Sequence, residues 1–325
     1  MTILERSAVR PEQFTRWFAS RGWAPRAHQL DLLDKARAGR SVLLIAPTGG
    51  GKTLAGFLPS LVELGETSMA FPARGGEDGA AEKRRLLSTG RDMRREGGLH
   101  TLYISPPKAL AVDIARNLEA PVAEMLLPIR IETRTGDTPT SKRQRQRRDP
   151  PQILLTTPEQ LALKLASADA PYLFGSLRRV ILDELHALVT SKRGDLLSLG
   201  LARLFRLSPQ LTSIGLSATV AQPDELCRFM VPQRAKDSRA DLIIAQAGAA
   251  PDVAMLNSRE RLPWAGHSAR YALGEMYELI KTHRTTLVFV NTRSQAEGIF
   301  QDLWHINDDN LAIALHHGSL DVAQR

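Results

Sequence analysis

Segment 46–53, with the sequence APTGGGKT, has the residue types and spacing of a phosphate-binding loop, and the apolar run 41–45 directly precedes it. Glycines let the backbone turn tightly with its N–H groups pointing inward, where they can bind phosphate oxygens at the start of a helix. Lys52 would place a positive charge beside the β and γ phosphates, and the Thr53 hydroxyl would bind a magnesium ion. We therefore predict a nucleotide site that consists of Pro47, Thr48, Gly49, Gly50, Gly51, Lys52 and Thr53.

Two neighbouring carboxylates, Asp183 and Glu184, follow the apolar run 180–182. Transfer of a phosphoryl group to water requires one group that holds the metal ion and another that orients the attacking water. Asp183 suits the metal ion, and Glu184 suits the water. Paired acids at a strand end are also common by accident, so the phosphate loop upstream is what favours the catalytic interpretation. The sequence predicts Lys52, Asp183 and Glu184 as catalytic residues.

The elements that would position these residues are short apolar runs separated by stretches with helical periodicity. The runs lie at 41–45, 99–104, 129–133, 153–156, 180–183, 212–216 and 242–245. Their alternation with helices predicts parallel βαβ units in an α/β sheet, with the working loops at the carboxyl ends of the strands. A helix at 269–281 and strands at 286–290 and 311–315 would begin another unit of the same kind.

The composition of the 325 residues limits the classes of protein to which the chain can belong. A net charge of +8 at pH 7 and a pI near 9.9 favour a polyanionic partner, with nucleic acid first. The single cysteine, Cys227, excludes an intrachain disulfide framework and fits a reducing compartment. No run approaches the roughly 18 apolar residues of a membrane span, so we expect no membrane partner.

Two polar segments interrupt the pattern of strands and helices. Residues 65–98 are rich in glycine and in charges of both signs, which predicts a mobile surface insertion without a function of its own. The basic run 142–148, KRQRQRR, could contact nucleic acid. A charge run is more often the solvated face of a helix, and we favour that interpretation here.

The phosphate loop, DELH at 183–186 and SAT at 217–219 follow one another in the order of the motifs of superfamily 2 helicases, which the chain resembles. Further motifs of that series match RAHQ at 26–29 (Q motif), SPPKAL at 105–110 (Ia), RTGDT at 134–138 (Ib), TTPE at 156–159 (Ic) and FVNTR at 289–293 (IV). HHGSL at 316–320 resembles a segment of the large helicase-related (Lhr) family. Within that family, SKRG at 191–194 and WAGHS at 264–268 resemble the ligase-associated DEXH-box branch.

This resemblance implies roles for individual residues. Arg26 and Gln29 would bind the adenine, although Gln29 could instead be a helix-start residue. The state of the γ phosphate would be transmitted to the nucleic acid by His186, Ser217, Ala218 and Thr219, with a core histidine as the alternative for His186. Contacts to backbone phosphates would come from Lys108, Thr135, Gly136, Thr157 and Arg293. Such contacts do not read bases, so we expect weak base specificity and strong salt dependence.

The resemblance also implies a fold and its division into domains. We expect a RecA-like P-loop NTPase domain with a central parallel sheet, followed by the beginning of a second RecA-like domain. The expected division is an N-terminal segment at 1–24, the first domain at 25–228, a closing strand and linker at 229–265, and the partial second domain at 266–325. No arginine-finger motif precedes Arg325, so we expect an N-terminal fragment that binds ATP but hydrolyses it poorly and does not unwind.

The function that the resemblance implies is that of an ATP-dependent DNA helicase or translocase, which uses ATP and Mg²⁺, moves 3′ to 5′ and acts in DNA repair. Its partners would be single-stranded or partly duplex DNA and a repair ligase or nuclease, at the nucleoid in a bacterial cytoplasm. An RNA-remodelling helicase and a non-hydrolysing module that binds ATP and nucleic acid are the alternatives. A small-molecule kinase is more remote, because it would not explain the SAT motif or the basic charge.

Overall fold

The computed structural model describes residues 12–70, 98–106, 108–218, 220–235, 237–246, 252–256, 258, 269–317 and 319–320. Within these ranges, the side chains of residues 67–70, 108 and 109 are left undescribed. The chain divides into two compact units, Met1–Ala249 and Ala250–Arg325. All the strands that the structure describes belong to the first unit.

The first unit alternates strands and helices along most of its length. Its strands are β1 (Val42–Ile45), β2 (Thr101–Ile104), β3 (Ile131–Arg134), β4 (Ile153–Thr156), β5 (Arg179–Leu182), β6 (Thr212–Ser217) and β7 (Asp241–Ile244). Its helices are α1 (Glu12–Ser20), α2 (Ala27–Arg37), α3 (Lys52–Ala70), α4 (Lys108–Glu124), α5 (Thr140–Arg148), α6 (Pro158–Leu165), α7 (Ala170–Phe174), α8 (Leu185–Val189), α9 (Lys192–Leu207) and α10 (Pro223–Phe229). No helix in the described ranges of the chain combines the length and the hydropathy needed to cross a bilayer.

The seven strands form one sheet in the order β3-β4-β2-β5-β6-β1-β7. Each neighbouring pair is parallel, so the carboxyl ends of all strands lie at the same edge. Strands β1, β2, β4 and β5 are buried over their whole length. Burial of this kind is typical of parallel strands whose two faces are both covered by helices. The α/β sheet predicted from the sequence is confirmed.

Alternate residues of the strands enter two separate apolar cores. Leu44 and Ile181 belong to one core, whereas their neighbours Leu43 and Leu182 belong to the other. This alternation follows from the two-residue period of a β-strand. Full burial of one such leucine or isoleucine contributes roughly 1.5–3 kcal/mol to stability. The doubly packed sheet is therefore a firm support for the loops at its edge.

Helix α1 adds an aromatic group to the first of these cores. Phe14, Trp17 and Phe18, which the sequence predicts to pack at helical spacing, are all buried there. The indole N–H of Trp17 donates to Oε2 of Glu124 at 2.7 Å. The described part of the N-terminal segment is thus packed into the first unit.

The predicted insertion at 65–98 begins too early, because α3 continues as a helix to Ala70. Gly65 packs closely: a Cβ at this position would lie 3.1 Å from Cδ2 of Leu127. Glu66 forms an ion pair with Arg37 of α2. These tertiary contacts extend the helix past the point at which apolar periodicity fades. The rest of the predicted insertion, 71–97, lies outside the described residues.

The second unit contains a 3₁₀-helix (Ala269–Ala272), α11 (Leu273–Thr282) and α12 (Arg293–His305). The strands predicted at 286–290 and 311–315 are wrong for the described residues of this unit, which contain no strand. A strand forms only where a neighbouring backbone supplies hydrogen bonds. Leu287 and Phe289, in the first of these segments, are 76% and 87% exposed. The beginning of a second RecA-like domain stays a prediction.

Candidate active site at the carboxyl edge of the sheet

The strand order divides the carboxyl edge of the sheet into two halves. The segments after β1 and β5 contain the phosphate-binding and catalytic residues predicted from the sequence, and the end of β6 contains the predicted coupling residues. The segments after β2, β3 and β4 contain the nucleic-acid contacts predicted in the first unit. The boundary between the halves lies between β2 and β5, which pair directly. The topology therefore places both predicted sites on one rigid edge.

The loop after β1 has the backbone of a phosphate-binding turn. Gly49 and Gly51 have φ values of 75° and 76°, a left-handed conformation that glycine adopts without strain. The N–H of Gly50 donates to the carbonyl of Pro47 at 2.9 Å and closes the turn. Lys52 is the first residue of α3, and the first turn of a helix offers N–H groups to an anion.

The same loop fits a nucleotide that brings its own magnesium ion. A Cβ on Gly50 would lie 2.7 Å from the Pro47 carbonyl oxygen, and one on Gly51 would lie 2.8 Å from Nε2 of Gln29. Backbone N–H groups and an ammonium suit phosphate oxygens, and a threonine hydroxyl suits Mg²⁺. The residues that the structure describes contain no group of three His, Cys, Asp or Glu side chains that could hold a metal ion unaided.

Two residues at the start of α2 bind carbonyl groups of this loop. Nε2 of His28 lies 2.9 Å from the carbonyl oxygen of Gly50, so this nitrogen bears the proton. Burial lowers the pKa of His28. Gln29 donates from Nε2 to the Gly51 carbonyl at 3.3 Å and accepts from the Arg26 N–H at 2.9 Å. Gln29 is thus a helix-start residue here, and the adenine contacts of Gln29 and the exposed Arg26 stay predictions.

Asp183 is buried, and both of its carboxylate oxygens accept hydrogen bonds. Oδ1 accepts from the Glu184 N–H at 2.9 Å, and Oδ2 accepts from the Tyr103 hydroxyl at 2.5 Å. Burial raises the pKa of Asp183, and the two hydrogen bonds, followed by the charge of the nearby Lys52, oppose that shift. Sequence reasoning missed Tyr103. The only signal was a hydroxyl-bearing ring between two aliphatic residues in a buried strand.

Glu184 has a left-handed backbone, with φ of 47° and ψ of 42°. A residue other than glycine in this region costs of order 1–3 kcal/mol, and such residues cluster at active sites. The turn leaves the side chain of Glu184 37% exposed, whereas Asp183 is only 5% exposed. The two acids therefore have different environments, as their predicted roles at the metal ion and the water require.

His186 joins the segment after β5 to the end of β6. Its Nδ1 lies 3.0 Å from Oγ of Ser217, and its Nε2 lies 3.5 Å from Oε2 of Glu184. The carbonyl of the fully buried Ser217 accepts from the N–H of Ala46, at the start of the phosphate loop. The side chain of His186 is 32% exposed, which disfavours the core-histidine alternative. Ala218 follows Ser217 and is partly exposed, and Thr219 lies outside the described residues.

The loop after β3 contains two of the predicted nucleic-acid contacts. The N–H of Thr135 donates to Oγ1 of Thr138 at 2.9 Å, and the N–H of Asp137 donates to Oγ1 of Thr135 at 3.3 Å. Thr135 is buried, whereas Gly136 is exposed. The Thr135 hydroxyl therefore shapes the loop, and the backbone of Gly136 is the part that is open to a phosphate.

The remaining predicted contacts differ in their surroundings. Thr157 is buried at the start of α6, beside the β3 loop because β3 and β4 are neighbours. Hydrogen bonds, first from Arg193 and then from Thr157, lower the pKa of Glu159 to about 2. Lys108 begins α4, but its side chain is outside the described set. Arg293 is exposed at the start of α12 in the second unit.

The basic run 142–148 makes up most of α5. Several of its side chains form hydrogen bonds or ion pairs with neighbouring elements, which a fully solvated helix face would not do. Arg145 and Gln146 donate to the carboxylate of Glu132 in β3 at 2.7 and 2.8 Å. Arg147 forms an ion pair with Asp169. The interpretation as a solvated face therefore holds for only part of the run, because several of its side chains hold α5 against the sheet and against α7.

Comparisons with known proteins agree with this geometry. The family model "DEAD/DEAH box helicase" matches residues 26–226. The ATP-dependent helicase Lhr-Core of Methanothermobacter thermautotrophicus is 36% identical in an alignment 313 positions long, which covers 90% of this chain and 33% of that protein. The Lhr helicase/probable uracil glycosylase of Mycolicibacterium smegmatis is 35% identical in an alignment 332 positions long, gaps included, which covers 96% of this chain and 19% of that protein.

The likeness extends to a solved structure, that of the Mycobacterium smegmatis helicase Lhr bound to ssDNA and AMP-PNP. It matches with a TM-score of 0.74 and 32% identity, and the match covers 97% of this chain and 39% of that one. The RecA-like α/β fold is thereby confirmed. Because the family model spans most of the first unit and includes both the phosphate loop and DELH, the chain belongs to the DEAD/DEAH box helicase family, with Lhr helicases among its relatives.

Proposed function

We propose that the chain is the motor region of a helicase that couples ATP hydrolysis to movement along DNA. The observation that supports this most directly is the divided edge of the sheet. Lys52, Asp183 and Glu184 lie on the half formed by β1, β5 and β6. Gly136 and Thr157 lie on the half formed by β3 and β4. One rigid sheet thus holds a phosphate-binding loop beside a surface suited to backbone phosphates.

The residues of the ATP half divide the work of hydrolysis. The N–H groups of the phosphate loop and the Lys52 ammonium would bind the β and γ phosphates. A magnesium ion, held by Thr53 and Asp183, would neutralise charge that develops on the phosphate oxygens. Glu184 would orient the attacking water and accept its proton, for which its partial exposure is suitable. Asp183 is buried and already oriented by two hydrogen bonds.

Coupling would pass through His186 and Ser217. His186 lies near Glu184 on one side and Ser217 on the other. A shift of Glu184 on loss of the γ phosphate would therefore alter the link to β6. The Ser217 carbonyl also accepts from the N–H of Ala46, the first residue of the phosphate loop. A movement of that loop would therefore reach His186 through Ser217.

The chain spans 33% of the Lhr-Core relative and 19% of the mycobacterial relative. For the whole protein we propose movement 3′ to 5′, a role in DNA repair with a ligase or nuclease partner, and a place at the nucleoid in a bacterial cytoplasm. These proposals follow from the resemblance to the ligase-associated DEXH-box branch. DNA is favoured over RNA because the similar Lhr structure is described as bound to ssDNA.

The test compares single-stranded DNA with RNA of the same sequence. Binding of each to the 325-residue chain is measured with and without AMP-PNP and magnesium, and ATP turnover is measured in parallel. We expect DNA to bind more tightly with the nucleotide present and to stimulate a low turnover that Lys52→Ala abolishes. A response to RNA alone would replace DNA by RNA as the substrate. Binding of both ligands without any turnover would favour the non-hydrolysing module.

A further inference from the structure

The guanidinium of Arg143 bonds to three carbonyl groups of the loop that follows β3. Its Nε donates to the carbonyl of Thr138 at 2.7 Å. Its Nη2 donates to the carbonyls of Gly136 at 2.5 Å and Thr135 at 3.4 Å. A planar guanidinium offers donors in a fixed fork, which is why one side chain can span several acceptors. Arg143 thus braces the whole loop 135–138.

By binding the loop carbonyls, Arg143 keeps their negative ends away from an approaching anion. Carbonyl oxygens repel a phosphate, and those of Thr135, Gly136 and Thr138 all face the Arg143 guanidinium. The N–H groups of Thr135 and Asp137 are used inside the loop. The N–H of the exposed Gly136 has no acceptor among the residues described, so it is available to a phosphate oxygen.

Helix α5 is bonded to β3, which fixes the backbone that carries Arg143. Arg134 of β3 donates from Nη1 to the Arg143 carbonyl at 3.3 Å. Gln146, one turn further along, is buried and donates to Oε2 of Glu132 at 2.8 Å. The brace therefore runs from the sheet through α5 to the loop.

We propose that Arg143 is a positioning residue for nucleic acid, which holds the Gly136 N–H ready for a backbone phosphate and does not itself touch the phosphate. The inference rests on the proposed function, because it assumes that this loop meets nucleic acid. Its rival is a direct ion pair between Arg143 and a phosphate. Both roles involve the same positive charge, so a loss of affinity alone does not distinguish them. A variant that has lost a direct phosphate contact releases fewer counterions when it binds DNA, so its affinity depends less steeply on salt.

The experiment titrates a fluorescent single-stranded DNA with the 325-residue chain at several salt concentrations. The variants are Arg143→Gln, Arg143→Lys and Arg148→Gln. Arg148 lies on the same helix and is exposed, and its side chain has no hydrogen bond or ion pair within the described ranges. Its replacement therefore removes one positive charge from α5 and leaves the brace intact.

We expect Arg143→Gln and Arg143→Lys to weaken binding by about 5- to 20-fold each, because a lysine cannot span the carbonyls. The slope of log K against log salt should stay at the wild-type value in both. Arg148→Gln should change the affinity by less than about twofold, as expected for one solvated charge. Amide hydrogen exchange at 135–138 should become faster in the Arg143 variants while the unfolding midpoint stays unchanged.

A direct phosphate contact would give different results. Arg143→Lys would bind almost as well as wild type, and Arg143→Gln would flatten the slope by roughly 0.7. Either result, or an equal loss in Arg148→Gln, overturns the inference. Should Arg143→Gln not fold, Arg143→Lys provides the same test. Wild-type protein that does not bind DNA would refute the proposed function, whereas normal binding by both Arg143 variants would refute only this inference.

Discussion

Tyr103 donates a hydrogen bond of 2.5 Å to Oδ2 of Asp183, across the boundary between the two halves of the sheet edge. Tyr103 lies on β2, on the nucleic-acid side, and Asp183 follows β5, on the ATP side. The ring of Phe57 stacks on Tyr103 with 5.3 Å between centroids and limits its movement. The hydroxyl therefore orients the predicted metal-binding carboxylate before any ligand arrives.

Replacing Tyr103 with phenylalanine would remove this hydroxyl and keep the stacked ring. We expect the magnesium concentration that half-saturates AMP-PNP binding to rise by about tenfold or more, the usual effect of losing a residue that orients a metal ligand. Titration of magnesium against a fluorescent AMP-PNP derivative measures it. Tyr172→Phe is the matched control, because Tyr172 is 54% exposed. An unchanged magnesium requirement in Tyr103→Phe would contradict the role of the hydroxyl.

Replacement of Glu184 should separate catalysis from strain. Glu184→Gln removes the base, so we expect turnover to fall by about 10²- to 10⁴-fold while AMP-PNP binding persists. Glu184→Gly removes the same carboxylate but relieves the left-handed backbone. We therefore expect it to unfold at higher urea than Glu184→Gln, with a difference of about 1 kcal/mol. Equal stability of the two variants would mean that the turn stores no strain.

The contact between His186 and Ser217 predicts that the two residues act as one unit. In a double-mutant cycle with His186→Ala and Ser217→Ala, we expect each single change to reduce the effect of AMP-PNP on DNA affinity. The double variant should be little worse than either, with an interaction energy of about 0.5–3 kcal/mol. The measured quantity is the ratio of the DNA Kd values with and without AMP-PNP and magnesium. Additive losses would show that the 3.0 Å contact does not transmit coupling.

The phosphate loop and the paired acids could be predicted because each depends on residues close together in the chain. Glycine spacing specifies the turn of segment 46–53, and the apolar run before Asp183 specifies a buried strand. The two loops then lie at the same edge of the sheet, because the carboxyl ends of parallel strands all lie at one edge. These features needed no knowledge of which strands are neighbours.

Contacts between distant strands could not be predicted in this way. Tyr103 and Asp183 are 80 residues apart, and they meet only because β2 and β5 are adjacent in the sheet. The bracing by Arg143 was hidden for another reason. A run of arginines has the same sequence pattern whether its side chains are solvated or bonded to a loop. The predicted strand at 286–290 is absent because apolar residues alone do not provide the neighbouring strand with which it would pair.

An ion pair between a buried arginine and a half-exposed glutamate, at the opposite end of the sheet, predicts how stability depends on pH. Arg179, at the start of β5, is 4% exposed and donates to Oε2 of Glu63 at 3.1 Å and to Oγ of Ser60 at 3.2 Å. Nε2 of His100 lies 3.4 Å from the same Glu63 oxygen. The neighbouring imidazole of His100, followed by the charge of Arg179, lowers the pKa of Glu63 from 4.5 to about 2.

Because the folded-state pKa of Glu63 lies below its unfolded value, its carboxylate stabilises the fold fully above about pH 4.5, and this contribution disappears as the pH falls towards 2. The side chain is 46% exposed, so solvent screening reduces the contribution to about 1–2 kcal/mol. We expect urea unfolding to show Glu63→Gln less stable than wild type by this amount at pH 6, with the difference shrinking as the pH approaches 3. Glu12→Gln, which removes one half of an ion pair that is 76% exposed on both sides, should show almost no difference at any pH. A deficit in Glu63→Gln that is constant from pH 6 to pH 3 would mean that the carboxylate charge is not what stabilises Arg179.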